Sequence, residues 1–348
     1  MTGGKRLAVV LFNLGGPDRP EAVQPFLFNL FNDPAIIGAP GPIRWALARF
    51  ISSRRAPVAR EIYAHLGGGS PLLPNTQAQA DPLADGLADL SEVQVFIAMR
   101  YWHPLTEETV RAVKEYGPDQ VVLLPLYPQY STTTSGSSIK AWNKAARQAG
   151  LDAPTHTLCC YPRLPGFTEA AAALIGPRLD QAAEQGVPRL LFSAHGLPKK
   201  VIERGDPYQW QVEQTADAIV AGLSRPGLDW RVCYQSRVGP LEWIGPATDE
   251  EIQRAGRDQV PLVLFPVAFV SEHSETLVEL DIEYRKLAEE SGVPAYLRVP
   301  TVDAAEAFIA GLAGLVREAA SGPEPLRSGE KGRICPADRR CCALAGGS

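Results

Sequence analysis

A histidine with little around it to shield it stands at position 195, in the stretch Phe-Ser-Ala-His-Gly-Leu-Pro. Leu190, Leu191 and Phe192 form a short apolar run, as a buried parallel strand would. Ser193, Ala194 and Gly196 are small, and Pro198 forbids a simple continuation of that strand. In an open α/β sheet the carboxyl end of a strand faces the ligand crevice, where an imidazole can move protons or meet a metal. Taken alone, a histidine at a strand end most often bonds a loop carbonyl. A second stretch, Ser271-Glu272-His273-Ser274-Glu275, points to chemistry instead, because it follows another apolar strand-like run at 261–269. Imidazole plus carboxylate suits a divalent first-row cation such as ferrous iron, and the same groups accept and export protons.

The elements that must position these residues can be read outward from them. From Ser271 the pattern is helical: Leu277, Leu280, Tyr284 and Leu287 make an apolar stripe, and Glu272, Glu275, Glu279 and Glu283 a ridge. The helix dipole favours acids in the first turn, whereas the ridge beyond it can equally be a solvated face. Near the start of the chain, the apolar run 7–12 leads into Asn13-Leu14-Gly15-Gly16-Pro17, which is not a dinucleotide-binding fingerprint, so no nicotinamide cofactor is expected. Gly67-Gly68-Gly69-Ser70-Pro71 is a tight loop that lets backbone approach a ligand. Residues 93–99 and 121–126 read as further strands, the second followed by a hydroxyl-rich run, 131–138, that opens a helix. The second half repeats this plan strand for strand. The expected fold is therefore α/β: two similar doubly wound parallel-sheet (Rossmann-like) halves around a cleft, 1–155 and 156–320, with a short tail, 321–348. In residues 36–57, Ile43, Leu47, Phe50 and Ile51 fall at helical spacing with Trp45 and several arginines among them. That segment is either an amphipathic helix packed on the core or an exposed apolar lip for a bilayer surface or a flat greasy ligand.

Composition narrows the field. A net charge of −5 disfavours a nucleic-acid partner. No apolar run approaches the ~18 residues of a membrane span, and the first residues do not read as a signal peptide, so a cytoplasmic protein is expected. Six cysteines in such a chain suggest metal or thiol chemistry before disulfides. Cys335, Cys341 and Cys342, with Cys159 or Cys160, can supply four thiolates to a [2Fe-2S] cluster; zinc or free thiols are the alternatives, and Cys233 reads as a core residue.

Several ordered motifs carry a family resemblance. Leu-Phe-Asn-Leu-Gly-Gly-Pro, Gly-Gly-Gly-Ser-Pro, Arg-Tyr-Trp-His-Pro-Leu-Thr-Glu-Glu, Leu-Tyr-Pro-Gln-Tyr-Ser, Phe-Ser-Ala-His-Gly-Leu-Pro, Gly-Asp-Pro-Tyr, Gln-Ser-Arg-Val-Gly-Pro-Leu-Glu-Trp-Ile-Gly-Pro and Ser-Glu-His-Ser-Glu-Thr-Leu resemble ferrochelatase, from about Leu7 to about Glu318. The resemblance implies a lyase that inserts Fe²⁺ into protoporphyrin IX, the last step of haem synthesis, working peripherally at the inner membrane. It points to His195 and Glu275 as the central metal-insertion pair, with His273 and Glu279 close by. It implies porphyrin contacts from Leu14, Arg55, Tyr63, Ser70, Trp243 and Phe269, with Arg55 and Ser70 on the propionates. The Asn-Leu-Gly-Gly-Pro start is more similar to the protoporphyrin-using than the coproporphyrin-using branch. Some members carry a [2Fe-2S] cluster on a C-terminal extension, which implies Cys335, Cys341 and Cys342 with Cys160, or Cys159, as ligands. Animal members space their tail cysteines differently and take the fourth from a loop where this chain has Thr132. A chelatase for cobalt or nickel, or a bilobed carrier of haem or metal, are the competing readings. Monomer and homodimer both remain open.

Overall fold

The apolar runs become strands wherever helices can cover both of their faces. The computed structural model describes residues 5–90, 92–237, 239 and 241–346. It divides into two units: residues up to Cys160 with Leu312–Lys331, and Tyr161–Gly311 with the residues from Gly332 on.

The first unit runs β1 (Arg6–Asn13), α1 (Val23–Phe31), α2 (Gly41–Ala64), α3 (Leu72–Asp85), β2 (Glu92–Met99), α4 (Thr106–Tyr116), β3 (Gln120–Pro125), α5 (Ser135–Ala149) and β4 (Thr155–Leu158). Its sheet is parallel throughout, in the order β2-β1-β3-β4, with the short strand Leu326–Arg327 beyond β4. Ala8, Val10 and Phe12 alternate onto one face of β1, where they meet Val121 and Leu123 of β3 beneath Val110, Val113 and Trp142.

The second unit runs α6 (Pro165–Ala183), β5 (Arg189–His195), α7 (Lys199–Glu203), α8 (Tyr208–Leu223), β6 (Asp229–Gln235), α9 (Thr248–Asp258), β7 (Leu262–Pro266), a π-helix (Glu275–Glu283), α10 (Tyr284–Glu290) and β8 (Tyr296–Arg298). Its sheet, β6-β5-β7-β8, is parallel and repeats the strand order of the first. Each half is thus doubly wound, as the sequence repeat implied. The order reverses between β5 and β7, and His195 closes β5 at that switch point.

One element settles a choice that the sequence left open, and another differs from its expectation. The apolar segment at 36–57 forms the first part of a helix that begins at Gly41, and within that segment the buried residues are the small Ala48, Ser52 and Ala56, with Tyr63 buried further along. These small residues recur every fourth position, so α1 can approach closely; Ile43, Trp45, Leu47 and Phe50 are left exposed. The acidic segment, expected to be α-helical from Ser271, opens instead as a π-helix at Glu275 and tightens to α only at Tyr284. The Tyr296 hydroxyl donates to the Leu280 carbonyl oxygen at 2.8 Å, taking up one of the acceptors on that wide-turned stretch. No helix among the described residues is long and apolar enough to cross a membrane.

Leu264 lies fully buried at the centre of β7, between Leu191 and Arg298 in register. Leu264→Ala is expected to lower the stability of the protein by about 2–5 kcal/mol, read from urea unfolding, because the cavity cannot close within a paired strand.

Candidate active site

His195 ends β5, and Glu275 opens the π-helix that follows β7; the two strands are hydrogen-bonded neighbours. This pairing brings together residues 80 positions apart, with His195 Nδ1 2.8 Å from Glu275 Oε2. A carboxylate can only accept, so Nδ1 carries the hydrogen and Nε2 bears the lone pair whenever the ring is neutral. Tyr208, the first residue of α8, donates its hydroxyl to the His195 carbonyl oxygen at 3.1 Å and ties down the strand end.

From Glu275 the polar chain continues. Ser236 Oγ lies 3.3 Å from Glu275 Oε2 and 2.6 Å from Glu279 Oε2. The Ser236 backbone N–H donates to Glu279 Oε1 at 2.8 Å, and Gln235 Nε2 and the Tyr284 hydroxyl each reach the same carboxylate at 3.2 Å. Ser236 adopts this place in the left-handed region, at φ +59°, a conformation that its hydrogen bonds help to hold.

Burial opposes charge on each of these groups, and the neighbours decide which keeps it. At His195 the Glu275 carboxylate outweighs burial, and the imidazole titrates above its ordinary value. Glu275 is half-buried, and although desolvation opposes its charge, the facing His195 ring and its hydrogen bond hold the carboxyl well below the usual carboxylate range. Glu279 moves the other way, raised by burial and by the negative charge of Glu275. Two acids with opposite shifts thus lie on one chain of hydrogen bonds through Ser236.

His273 is buried beside them, its Nδ1 3.2 Å from the Ser271 carbonyl oxygen, and burial pushes its titration down so that the neutral ring is favoured. Phe269 lies against it, ring centroids 4.6 Å apart. Trp243 bridges to Pro198 and packs over Gly196, where an added Cβ would come within 3.0 Å of the Gln235 carbonyl oxygen and 3.4 Å of the indole. Glu272 departs from the expected acidic ridge. It precedes the helix, and its Oε1 accepts from Arg298 Nη1 at 2.5 Å and from the Thr301 N–H at 3.0 Å. An arginine too distant in sequence to be foreseen has drawn it aside.

The first unit gathers four other expected contact residues. Leu14 follows β1 and its carbonyl oxygen accepts from the Tyr101 N–H at 2.9 Å. It packs in one apolar cluster with Tyr63 and Phe31, and the Arg55 guanidinium lies 5.9 Å from the centroid of the Phe31 ring. The Ser70 N–H donates to the Pro17 carbonyl oxygen at 2.7 Å, and any side chain at Gly16 would collide with the Ser70 hydroxyl. The two glycine-containing loops therefore interlock, which explains the small residues in both.

Among the cysteines, Cys335 and Cys342 are buried in the second unit and share a hydrogen bond that draws the Cys342 thiol down to about 6. Gln211 Nε2 donates to Cys335 Sγ at 3.1 Å. The Cys341 N–H donates to the Gly205 carbonyl oxygen at 3.0 Å, and its thiol to that of Arg204 at 3.3 Å. Cys159 and Cys160 belong to the first unit, with sulfurs 3.5 Å apart. Cys233 is buried in β6, and burial pushes its thiol up to about 12. Among the described residues no three His, Cys, Asp or Glu side chains converge as a ready metal-ion site.

Sequence reasoning assigned no role to Ser236, Gln235, Tyr208 or Tyr284, all of which touch the pair or its acidic neighbour. One signal was present: Gln235 and Ser236 end the strand corresponding to β2 in the repeat, and Gln235 faces His195 in register.

Two doubly wound parallel halves of this kind are found in solved structures of chelatases. SirB from Bacillus subtilis, solved with Fe³⁺, shares the fold at a TM-score of 0.52 and 13% identity, over 91% of this chain and 96% of its own. The sirohydrochlorin chelatase SirB of the subspecies spizizenii, solved with cobalt, does so at 0.50 and 12%, over 92% and 97%. The chain belongs to the ferrochelatase family, whose model, described as Ferrochelatase, matches residues 6–320. It is 56% identical over 347 residues to the ferrochelatase of Caulobacter vibrioides strain NA1000 / CB15N, covering 99% of each chain. It is 55% identical over 348 residues to that of Phenylobacterium zucineum strain HLK1, covering 98% and 99%.

The opposite shifts at His195 and Glu275 predict a bell-shaped contribution to stability. Glu275 is lowered from 4.5, so its share is complete above 4.5 and is lost as pH falls towards its depressed native value. His195 is raised from 6.5, so its share is complete below 6.5 and fades as pH rises through its native value. The stability difference between the protein and its Glu275→Gln variant, from denaturant unfolding across pH, is expected to be greatest between those two values.

Proposed function

We propose that His195 and Glu275 are the residues through which this enzyme inserts ferrous iron into protoporphyrin. The protein is a ferrochelatase: it converts protoporphyrin and Fe²⁺, both substrates, into protohaem in haem synthesis. The observation that carries the residue assignment is the 2.8 Å hydrogen bond between His195 and Glu275, continued through Ser236 to Glu279.

A free porphyrin holds two pyrrole N–H groups in its plane, so a metal enters only when the ring bends and both protons leave. Contacts remote from the nitrogens can favour the bent form, which is how binding energy lowers the barrier. His195, with Nδ1–H held by Glu275, presents Nε2 as the proton acceptor, and its raised affinity for protons suits that task near neutral pH. Glu275, kept ionised, stabilises the imidazolium and offers oxygen to the incoming iron, with His273 as a neutral ring nearby. Glu279, raised and reached through Ser236, accepts the proton onward. Glu272, bound to Arg298, takes no part in this relay. Leu14, Arg55, Tyr63 and Ser70 on the first unit, and Trp243 and Phe269 on the second, are the proposed porphyrin contacts. Arginine suits propionates because its planar fork is bidentate and permanently charged.

The exposed Ile43, Trp45, Leu47 and Phe50 on α2, with Arg54 over the Phe50 ring, support peripheral contact with the inner membrane. A [2Fe-2S] cluster is proposed on the tail, with Cys335, Cys341 and Cys342 and a fourth thiolate from Cys160 or Cys159. The buried Cys335–Cys342 pair and the Gln211 amide donating to Cys335 sulfur fit a thiolate-ligated cluster. When bound it would supply one-electron chemistry, which metal insertion does not use.

Glu275→Gln is expected to cut iron insertion by at least about 10²-fold, with melting temperature and porphyrin fluorescence titration close to the parent. Undiminished turnover would support a carrier of haem or metal instead. Freshly purified protein without added porphyrin is expected to show visible absorption bands from the cluster; a colourless protein with zinc or free thiols would remove that assignment.

A further inference from the structure

β8 is three residues long, yet two of its side chains grip the π-helix. Tyr296 and Arg298 are alternate residues and so share a face of the strand. The Tyr296 hydroxyl holds the Leu280 carbonyl oxygen, as described above. Arg298 does more. Its Nε and Nη2 both donate to Asp281 Oδ2, at 2.9 and 2.5 Å, while Nη1 donates to Glu272 Oε1 at 2.5 Å. The Arg298 side chain is 10% exposed, so its ion pairs are shielded from water more than those of the protein surface. Asp281 is further braced by Arg285, whose Nε donates to its carbonyl oxygen at 3.1 Å.

The two carboxylates that Arg298 holds bracket the working residues. Glu272 lies three positions before Glu275, and Asp281 two positions after Glu279. Between them the backbone is π-helical, a form with wider turns than its α-helical competitor and one that survives mainly at functional sites. A collapse to α-geometry would rotate Glu279 about the helix axis relative to Glu275. The relative orientation in which Glu275 meets His195 and Glu279 meets Ser236 would change with it. Something outside the helix has to hold the wide form, and the guanidinium that pins both flanks is placed to do it.

We infer that Arg298 is a positioning residue for metal insertion, acting through Glu272 and Asp281 to fix the register in which Glu275 and Glu279 meet their partners. This rests on the assignment of His195 and Glu275 as the insertion pair. Arg298 touches neither of them and does no chemistry itself.

The test compares the full-length protein with its Arg298→Met and Arg298→Lys variants in anaerobic steady-state assays with ferrous iron and protoporphyrin, alongside melting temperature. A displacement of about 1 Å at a reacting group can cost roughly 10²-fold in rate. Arg298→Met is therefore expected to raise the KM for ferrous iron at least tenfold, with KM for protoporphyrin within twofold of the parent. Arg298→Lys, which keeps the charge but not the fork, is expected to recover part of that loss. An unchanged iron KM, with any rate loss matched by the unfolded fraction, would assign Arg298 to stability alone and overturn the inference. Should Arg298→Met not fold, Asp281→Asn removes one arm of the clamp and leaves Glu272 paired: at least a threefold rise in iron KM supports the inference, and an unchanged one overturns it. A Glu275→Gln variant with full turnover would overturn the underlying pair instead, whatever Arg298 does.

Discussion

The hydrogen bond between His195 and Glu275 is the constraint on which the second half of the molecule is built. Both side chains are half-buried, and the partial loss of water opposes charge on each when it stands alone. Each favours the charged form of the other, so the imidazole titrates above its ordinary value and the carboxyl below its own. The arrangement exists only because β7 pairs with β5 in parallel, so that the chain leaving β7 must pass the end of β5. Parallel pairing at a point where the strand order reverses opens space beyond the strands, and the doubly wound order creates that point in each half.

Around this pair the protein separates the behaviour of two neighbouring acids. Glu275 has a cation in front of it and stays ionised, while Glu279 has Glu275 behind it and holds a proton more readily. Ser236 stands between them, positioned by a left-handed backbone and by the end of β6, and it bonds to both. The π-helix carries both acids, four residues apart, to the same Ser236 hydroxyl, while only Glu275 also meets His195. Its wide turns are less economical than an α-helix, and the Tyr296 hydroxyl and Arg298 fork supply external hydrogen bonds that hold them.

The chain belongs to the ferrochelatase family, and inserting a divalent metal into a porphyrin needs a proton acceptor, an anionic oxygen and a route for two protons, the roles proposed above for His195, Glu275 and Glu279. The same family membership extends over the first unit, where Gly16 and Ser70 interlock and Leu14 and Tyr63 pack together. On α2 the physical logic is different. Small residues face α1 and large apolar ones face out, so this helix spends its hydrophobic surface on something other than the core of the chain.

Much of the protein was legible in its residues alone. Apolar runs of strand length fixed by Gly and Pro gave the two doubly wound halves, because burial on both faces of a parallel strand leaves that signature whatever the partner. The same logic put His195 at a strand end. What tertiary structure alone decided was which side chains meet. Glu272 was read as part of an acidic ridge, but Arg298 claims it from another strand. Ser236, Tyr208 and Tyr284 joined the site from three other elements, and the face of α2 that packs inward was the one with the smaller side chains. Periodicity reports how each segment divides its own surface between apolar and polar. Register, strand pairing and the choice between π and α turns depend on contacts between residues far apart in the chain, and those are settled only when the whole chain is folded.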